Sequence, residues 1–94
     1  MNKKHYDIRV YGKVQGVFFR ATARGKALEL DITGFAQNEN DGSVYLEVEG
    51  TDENLTKFID WCRKGPERAE VTNVEVSEGS LKNFPVFEVN RGVY

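Results

Sequence analysis

Hydrophobic residues occupy every second position in several short runs of the chain, a pattern that predicts β-strands with one buried face. The first run is Tyr6–Tyr11, and a similar run follows at Val44–Glu49. Thr33–Asn38 is predicted as the strand that precedes the latter run. The turn signal Asn40-Asp41-Gly42 separates these two, and because its residues tolerate left-handed backbone angles, the two strands should form a hairpin.

A first helix is predicted directly after the first strand, from Phe19 to about Leu30. Phe19, Ala23, Ala27 and Leu30 recur at helical spacing, and Asp31 is expected to end the helix.

A second helix is predicted from Thr51 or Asp52, either of which can cap its start, to Lys64. Gly65-Pro66 supplies a glycine suited to the end of a helix and a proline that cannot continue it. The hydrophobic stripe of this second helix follows the i, i+3, i+4, i+7 spacing and consists of Leu55, Phe58, Ile59 and Cys62.

The last third of the chain predicts two more strands. Val71–Val76 is the fourth, with an irregularity at Thr72-Asn73 where the alternation slips by one residue. Glu78-Gly79-Ser80 is predicted as a loop, and Phe87–Val89 as a short edge strand.

The resulting order is β-α-β-β-α-β followed by an edge strand. Strand–helix–strand units cross over with a right hand, and two such units can interleave into one antiparallel sheet. Both helices must then cover the same face. The prediction is therefore a ferredoxin-like α/β sandwich, of the α+β class, in which residues 1–94 form one domain.

Composition narrows the classes of function. The net charge is −2 and the pI is near 5.4, which disfavours binding to nucleic acid through phosphates. No hydrophobic run has the ~20 residues of a membrane helix, and Met1–Asp7 is not followed by the apolar segment of a signal peptide. The single cysteine, Cys62, excludes an internal disulfide, so a cytoplasmic location is expected.

The segment Gly12–Arg20 joins the first strand to the first helix and has the features of an anion-binding loop. Glycines at both 12 and 16 allow positive φ angles, so that backbone N–H groups can converge on one point. The first turn of a helix adds unpaired N–H donors. Arg20 adds a charged guanidinium that can donate two parallel hydrogen bonds to a phosphate or a carboxylate.

Local charge agrees with this interpretation. From Ile8 to Leu28 the acidic chain has three arginines and two lysines but no aspartate or glutamate, so the local field favours a small anion. The alternative is a plain strand-to-helix turn with a solvated basic face, since short glycine motifs also occur without a ligand.

The chain resembles the acylphosphatase family. The resemblance rests on Gly12-Lys13-Val14-Gln15-Gly16-Val17-Phe18-Phe19-Arg20, on Gly34-Phe35-Ala36-Gln37-Asn38, and on Asp41-Gly42-Ser43-Val44, with Gly65-Pro66 after the second helix. It extends from about Tyr6 to Val89.

The resemblance implies hydrolysis of the carboxyl–phosphate bond of acyl phosphates to a carboxylate and phosphate. It implies that Arg20 and Asn38 are the catalytic residues, Arg20 holding the phosphate and Asn38 orienting the attacking water. The loop that binds the phosphate through its N–H groups would comprise Gln15, Gly16, Val17, Phe18, Phe19 and Arg20. Departures from the family pattern are Phe35 for tryptophan, Asp31 for glycine and Ala36 for valine.

The chemistry agrees with this assignment. The carboxylate leaving group of an acyl phosphate has a low pKa, so no general acid is required. Asn38 is neutral and cannot serve as a base, but its amide can hydrogen bond to water; the group that accepts the water proton stays open. No carboxylate cluster indicates a metal, and no cofactor is expected.

The remaining candidates have simpler interpretations. His5, the only histidine, is expected to be a surface or strand-start residue. Cys62 lies on a helical stripe and should be buried, and Asp41 is a turn residue. The expected partner is a small-molecule acyl phosphate, with no nucleic acid and no membrane, and the chain is expected to be a monomer.

Three other classes of function are alternatives, and the first of them, an RNA-binding module, can share this order of elements. An RNA-binding module should have aromatic and basic residues on the third strand, whereas Glu47 and Glu49 occur there. A ligand-sensing or protein-interaction domain could keep the anion-binding loop without turnover; the pair of Arg20 and Asn38 argues against this class without excluding it. A metallochaperone would need two cysteines.

Overall fold

A computed structural model describes residues 2–90. In this part of the chain, five strands and two helices follow one another as predicted. They are β1 (Lys3–Lys13), α1 (Phe19–Glu29), β2 (Thr33–Asn38), β3 (Val44–Thr51), α2 (Asp52–Lys64), β4 (Glu70–Gly79) and β5 (Phe87–Asn90).

The strands form one sheet in the order β4-β1-β3-β2-β5. The first four strands pair antiparallel, which confirms the predicted interleaving. The edge strand β5 pairs parallel to β2, so the whole sheet is mixed; the sequence predicted this strand but not its direction. The architecture is the ferredoxin-like α+β fold.

The core lies between the two helices and one face of the sheet. Ile8 and Val10 of β1 and Leu46 of β3 are fully buried and alternate with residues on the opposite face, as expected for period-two strands. The helices contribute the predicted stripes to the same cluster: Phe19, Ala23, Ala27, Leu55, Phe58 and Cys62.

The ends of α2 agree with the prediction. The Thr51 hydroxyl accepts a hydrogen bond from the Asn54 N–H at 3.3 Å, and the Gly65 N–H donates to the Trp61 carbonyl at 2.7 Å. Helix α1 ends at Glu29, and Asp31 follows with φ at +57°, the conformation that glycine usually adopts after a helix.

Several strand boundaries differ from the sequence prediction, most clearly in β1 and β4. Strand β1 begins at Lys3 and ends at Lys13, beyond the predicted Tyr6–Tyr11. Strand β4 continues to Gly79, so the prediction of a loop at Glu78-Gly79 was wrong. Both extensions arise because β1 and β4 pair along nearly their whole length, a long-range contact that local alternation does not report.

The predicted irregularity in β4 is confirmed and matched by one in β1. Tyr11 pairs with Asn73 and Gly12 pairs with Val71, so Thr72 has no opposing residue. Gly12 has φ at +117°, and a Cβ there would lie 2.1 Å from the Glu70 carbonyl oxygen. Only glycine fits this bulge, which bends β1 as it enters the loop.

Within residues 2–90, no helix combines the length and the hydropathy that a membrane crossing requires.

Candidate active site

Chain topology brings three element ends to one end of the sheet. Helix α1 returns to β2 through a connection of only three residues, so its N-terminus lies beside the C-terminal end of β2, where Asn38 is located. Because β5 runs parallel to β2, its last residue, Asn90, lies at the same end. The loop after β1 leads directly into α1, so it lies at the same end of the sheet.

A cavity of about 270 Å³ occupies this end of the sheet. It is lined by both predicted catalytic residues and by part of the predicted loop, together with a residue of β5. The lining residues are Val14, Gly16, Phe18, Phe19, Arg20, Ala21, Asn38 and Val89. Gln15 and Val17, predicted as loop members, do not line it.

The backbone donors of the loop are unpaired within the described residues. The first helical hydrogen bond runs from the Thr22 N–H to the Phe18 carbonyl at 3.0 Å. Between residues 15 and 21, no N–H group donates to an acceptor in residues 2–90. Phe18 precedes the helix and offers no side-chain cap, and the first turn of α1 has no acidic residue. These free donors at a helix N-terminus favour an anion.

Gly16 keeps the loop open to a ligand. Its φ is +74°, and a Cβ added there would meet no protein atom within 4 Å. The required backbone angle therefore accounts for glycine here, and the space beside it belongs to the cavity.

Arg20 is half-buried in the first turn of α1, and one of its Nη atoms donates to the main-chain carbonyl of Asn90. This contact tethers the guanidinium to β5 and leaves its other N–H groups for a ligand. The sequence could not predict it, because a backbone acceptor 70 residues away has no sequence signature.

Asn38 is the last residue of β2 and is half-buried. It shares its face of the strand with Gly34 and Ala36, both buried against the helices, so the carboxamide lies on the helix-covered side. Within residues 2–90 its carboxamide makes no hydrogen bond to another protein group. It is therefore free to bind water or ligand.

The side chain of Gln15 has a role that the sequence analysis did not assign. Its amide nitrogen donates to the Glu39 carbonyl at 2.8 Å and to the Ser43 carbonyl at 2.9 Å. These two bonds fasten the loop to the β2–β3 turn immediately beyond Asn38. An amide is suited to this position because it carries two N–H donors without a charge.

His5 was predicted as a surface or strand-start residue: it lies near the start of β1, but the surface alternative was wrong. Its side chain is 2% exposed, on the helix-free face of the sheet. Nδ1 lies 2.7 Å from Glu49, and Nε2 lies 2.7 Å from Asp7 and 3.5 Å from Glu47. The cause is pairing of β1 with β3, which sets His5 opposite Glu49.

The histidine cluster is remote from the cavity. Nine residues of extended chain separate His5 from Val14, about 30 Å at ~3.3 Å per residue. His5, Asp7 and Glu47 have the geometry of a possible cation site. Each ring nitrogen lies 2.7 Å from a carboxylate oxygen, of Glu49 or of Asp7, so the arrangement also suits a protonated imidazole that donates to both carboxylates.

Two lesser predictions are confirmed. Cys62 is fully buried, and burial raises the pKa of its thiol, which keeps it an unreactive thiol. Asp41 is a turn residue whose carboxylate accepts from the Ser43 N–H at 2.9 Å, and the hydrogen bonds from Ser43 lower its pKa.

The fold and the cavity together define a small α+β protein with a loop of unpaired N–H groups at a helix N-terminus. A model of the acylphosphatase family matches residues 6–89. An acylphosphatase of Methylococcus capsulatus is 43% identical over 91 residues, which cover 96% of this chain and 99% of that protein.

Solved structures agree with the family match. An acylphosphatase from Coxiella burnetii has a TM-score of 0.92 at 37% identity and covers 95% of this chain and 94% of its own. One from Bacillus subtilis has a TM-score of 0.89 at 33% identity and covers 97% and 99%. The chain belongs to the acylphosphatase family, and its activity is hydrolysis of acyl phosphates.

Proposed function

We propose that Arg20 and the free N–H groups of residues 15–20 hold the phosphoryl group while Asn38 orients the attacking water. The observation that carries this proposal is that Arg20, Asn38 and part of the loop line the same cavity. Phosphoryl transfer depends mainly on positioning and on stabilisation of charge, and these groups supply both.

Each group has a distinct part in the proposed reaction. The loop N–H groups and the positive end of α1 attract the phosphate dianion. The guanidinium of Arg20 hydrogen bonds to the phosphoryl oxygens in the ground and transition states. Asn38 places a water in line with the leaving carboxylate. The water oxygen bonds to phosphorus, the phosphorus–oxygen bond to the acyl group breaks, and the electron pair leaves with the carboxylate.

No external acid or base is needed in this scheme. The leaving carboxylate is stable without protonation. Among residues 2–90, neither a carboxylate nor an imidazole lines the cavity, so the proton of the water passes to a phosphoryl oxygen of the substrate. The same lining supplies no anionic ligands for a divalent metal, and we propose a metal-independent reaction.

The proposal is tested by phosphate release from benzoyl phosphate with excess chelator, measured against spontaneous hydrolysis. Wild-type protein should remain active, and inorganic phosphate should compete with the substrate and raise the melting temperature, since it binds only the native state. Arg20→Ala should weaken both effects of phosphate. Activity that disappears with chelator and returns with Mg²⁺, or a phosphate effect that is undiminished in Arg20→Ala, would contradict the assignment.

We further propose that the 94 residues act as one domain, as a monomer, in the cytoplasm. The sole cysteine is buried and forms no disulfide within the described residues, which suits a reducing compartment. Sedimentation of the purified protein tests the oligomeric state.

A further inference from the structure

Phe18 is the most exposed large hydrophobic residue of the described chain, and it stands at the edge of the cavity. Its side chain is 73% exposed. Of the five exposed large hydrophobic residues between positions 2 and 90, two line this cavity, Phe18 and Val89, the latter 40% exposed. They come from the loop and from β5, which are far apart in the sequence.

The backbone holds Phe18 in an unfavourable conformation. Its φ is +63° and its ψ is +25°, in the left-handed region that few non-glycine residues adopt. Such angles persist where the surroundings impose them, and they cluster at functional sites. Phe18 is also the residue before α1, a position where serine, threonine, aspartate or asparagine normally caps the helix. Phenylalanine leaves the N–H donors uncapped and places a ring beside them.

The cavity is larger than a phosphate group. At about 30 Å³ for each water molecule, its 270 Å³ equals the volume of roughly nine waters. A phosphoryl group with its few heavy atoms fills only part of this space. Apart from Arg20 and Asn38, every side chain that lines the cavity is hydrophobic.

We propose that the side chains of Phe18 and Val89 form the subsite for the acyl part of the substrate, and that the ring of Phe18 is what discriminates benzoyl from acetyl in this protein. This inference rests on the proposed binding of the phosphoryl group by Arg20 and the loop. An aryl group bound there covers the exposed ring of Phe18, and both ring surfaces leave water.

Kinetics with two substrates test the subsite. The ratio of kcat/KM for benzoyl phosphate to kcat/KM for acetyl phosphate is measured for wild-type protein and for Phe18→Ala. Alanine keeps a Cβ, so the constraint on the backbone is retained while the ring is removed. The ratio should fall about tenfold, which corresponds to ~1.4 kcal/mol, mainly through a higher KM for benzoyl phosphate. Phe18→Tyr should restore the ratio.

Leu28→Ala is the matched control, because Leu28 is 61% exposed at the far end of the same helix and does not line the cavity. Its ratio should equal that of the wild type. A Phe18→Ala ratio within twofold of wild type overturns the proposed subsite, because loss of loop geometry alone lowers both substrates together. If the wild-type protein hydrolyses neither substrate above the spontaneous rate, the underlying assignment of the cavity fails instead.

Discussion

The imidazole of His5 and the carboxylate of Glu49 are 2.7 Å apart, and both are almost completely buried. Glu49 also accepts hydrogen bonds from three consecutive N–H groups, those of residues 82, 83 and 84. The pair therefore fastens the segment before β5 to the helix-free face of the sheet. Since β5 carries the Asn90 carbonyl that contacts Arg20, this remote pair anchors the segment that leads into an element of the candidate active site.

Stability should depend on pH through this pair. Burial by itself lowers the pKa of His5, but hydrogen bonds and charge from Glu49 and Asp7 outweigh it and raise the pKa above 6.5. For Glu49, burial acts to raise the pKa, but the backbone N–H groups and His5 outweigh it and lower the pKa below 4.5. The neighbouring charged groups are Asp7, Glu47 and Lys82.

The direction of the pH effect follows from these shifts. The contribution of His5 is complete below pH 6.5 and is lost as the pH rises through its folded-state pKa. The contribution of Glu49 is complete above pH 4.5 and is lost as the pH falls through its folded-state pKa. The pair should therefore contribute most between these two values. Thermal melts from well below pH 4.5 to well above pH 6.5 measure the effect, and a Tm that does not fall toward either end would contradict it.

Removing the charge of Glu49 should be more damaging than removing that of Asp7. Glu49→Gln leaves a buried imidazolium without its best partner and should cost about 3–5 kcal/mol. Asp7→Asn is the matched control: its side chain is 38% exposed, so the loss should be about 1 kcal/mol or less. Urea unfolding near pH 5.5 measures the free energy of unfolding of both variants. Equal losses would show that the buried pair of His5 and Glu49 contributes no more to stability than the exposed contact with Asp7.

Arg20→Lys should be nearly as inactive as Arg20→Ala. A lysine keeps the charge but cannot donate two parallel hydrogen bonds to phosphoryl oxygens while also reaching the Asn90 carbonyl. The measurement is kcat/KM on benzoyl phosphate. Arg24→Lys, at an exposed position on the same helix, is the control and should resemble wild type. Near-normal kcat/KM in Arg20→Lys would mean that charge alone matters there.

Asn38 and Arg20 should give different kinetic signatures. Asn38→Ala should lower kcat by roughly 10²–10³ and leave phosphate affinity nearly intact, since the carboxamide acts on the water. Arg20→Ala should weaken phosphate binding and lower kcat as well. Asn38→Asp should also be poor, because a carboxylate repels the phosphate.

Titration of each variant with inorganic phosphate, together with kcat, separates the two roles. If Asn38→Ala loses phosphate binding while Arg20→Ala keeps it, the roles of the two residues have been assigned the wrong way round. Asn40→Ala, in the exposed turn, serves as the control for loss of a nearby amide.

Asp31→Gly should stabilise the protein. Asp31 has φ at +57° directly after α1, and its negative charge lies near the negative end of that helix. Glycine removes both penalties and should add about 0.5–1 kcal/mol, or roughly 2–8 °C in Tm.

Asp60→Gly is the matched control, because Asp60 is exposed inside α2, where glycine weakens the helix. It should lower Tm. Asp31→Asn retains tolerance for positive φ but removes the charge, and so separates the two causes. A fall in Tm for Asp31→Gly would contradict the backbone explanation.

The sequence by itself determined the elements and their order, because hydrophobic period, caps and turn residues act locally. The Thr51 cap, the Gly65 stop and the bulge at Thr72 were all predictable from neighbouring residues. Arg20 and Asn38 were found by their motifs, and in the structure both residues line the same cavity.

Tertiary structure decided what depends on distant partners. The parallel pairing of β5 with β2 brings the Asn90 carbonyl to Arg20. The register of β1 against β3 buries His5 beside Glu49, a placement that its position near the amino end did not suggest. The two contacts join residues that are 44 and 70 positions apart, and no local pattern in the sequence predicts contacts over such separations.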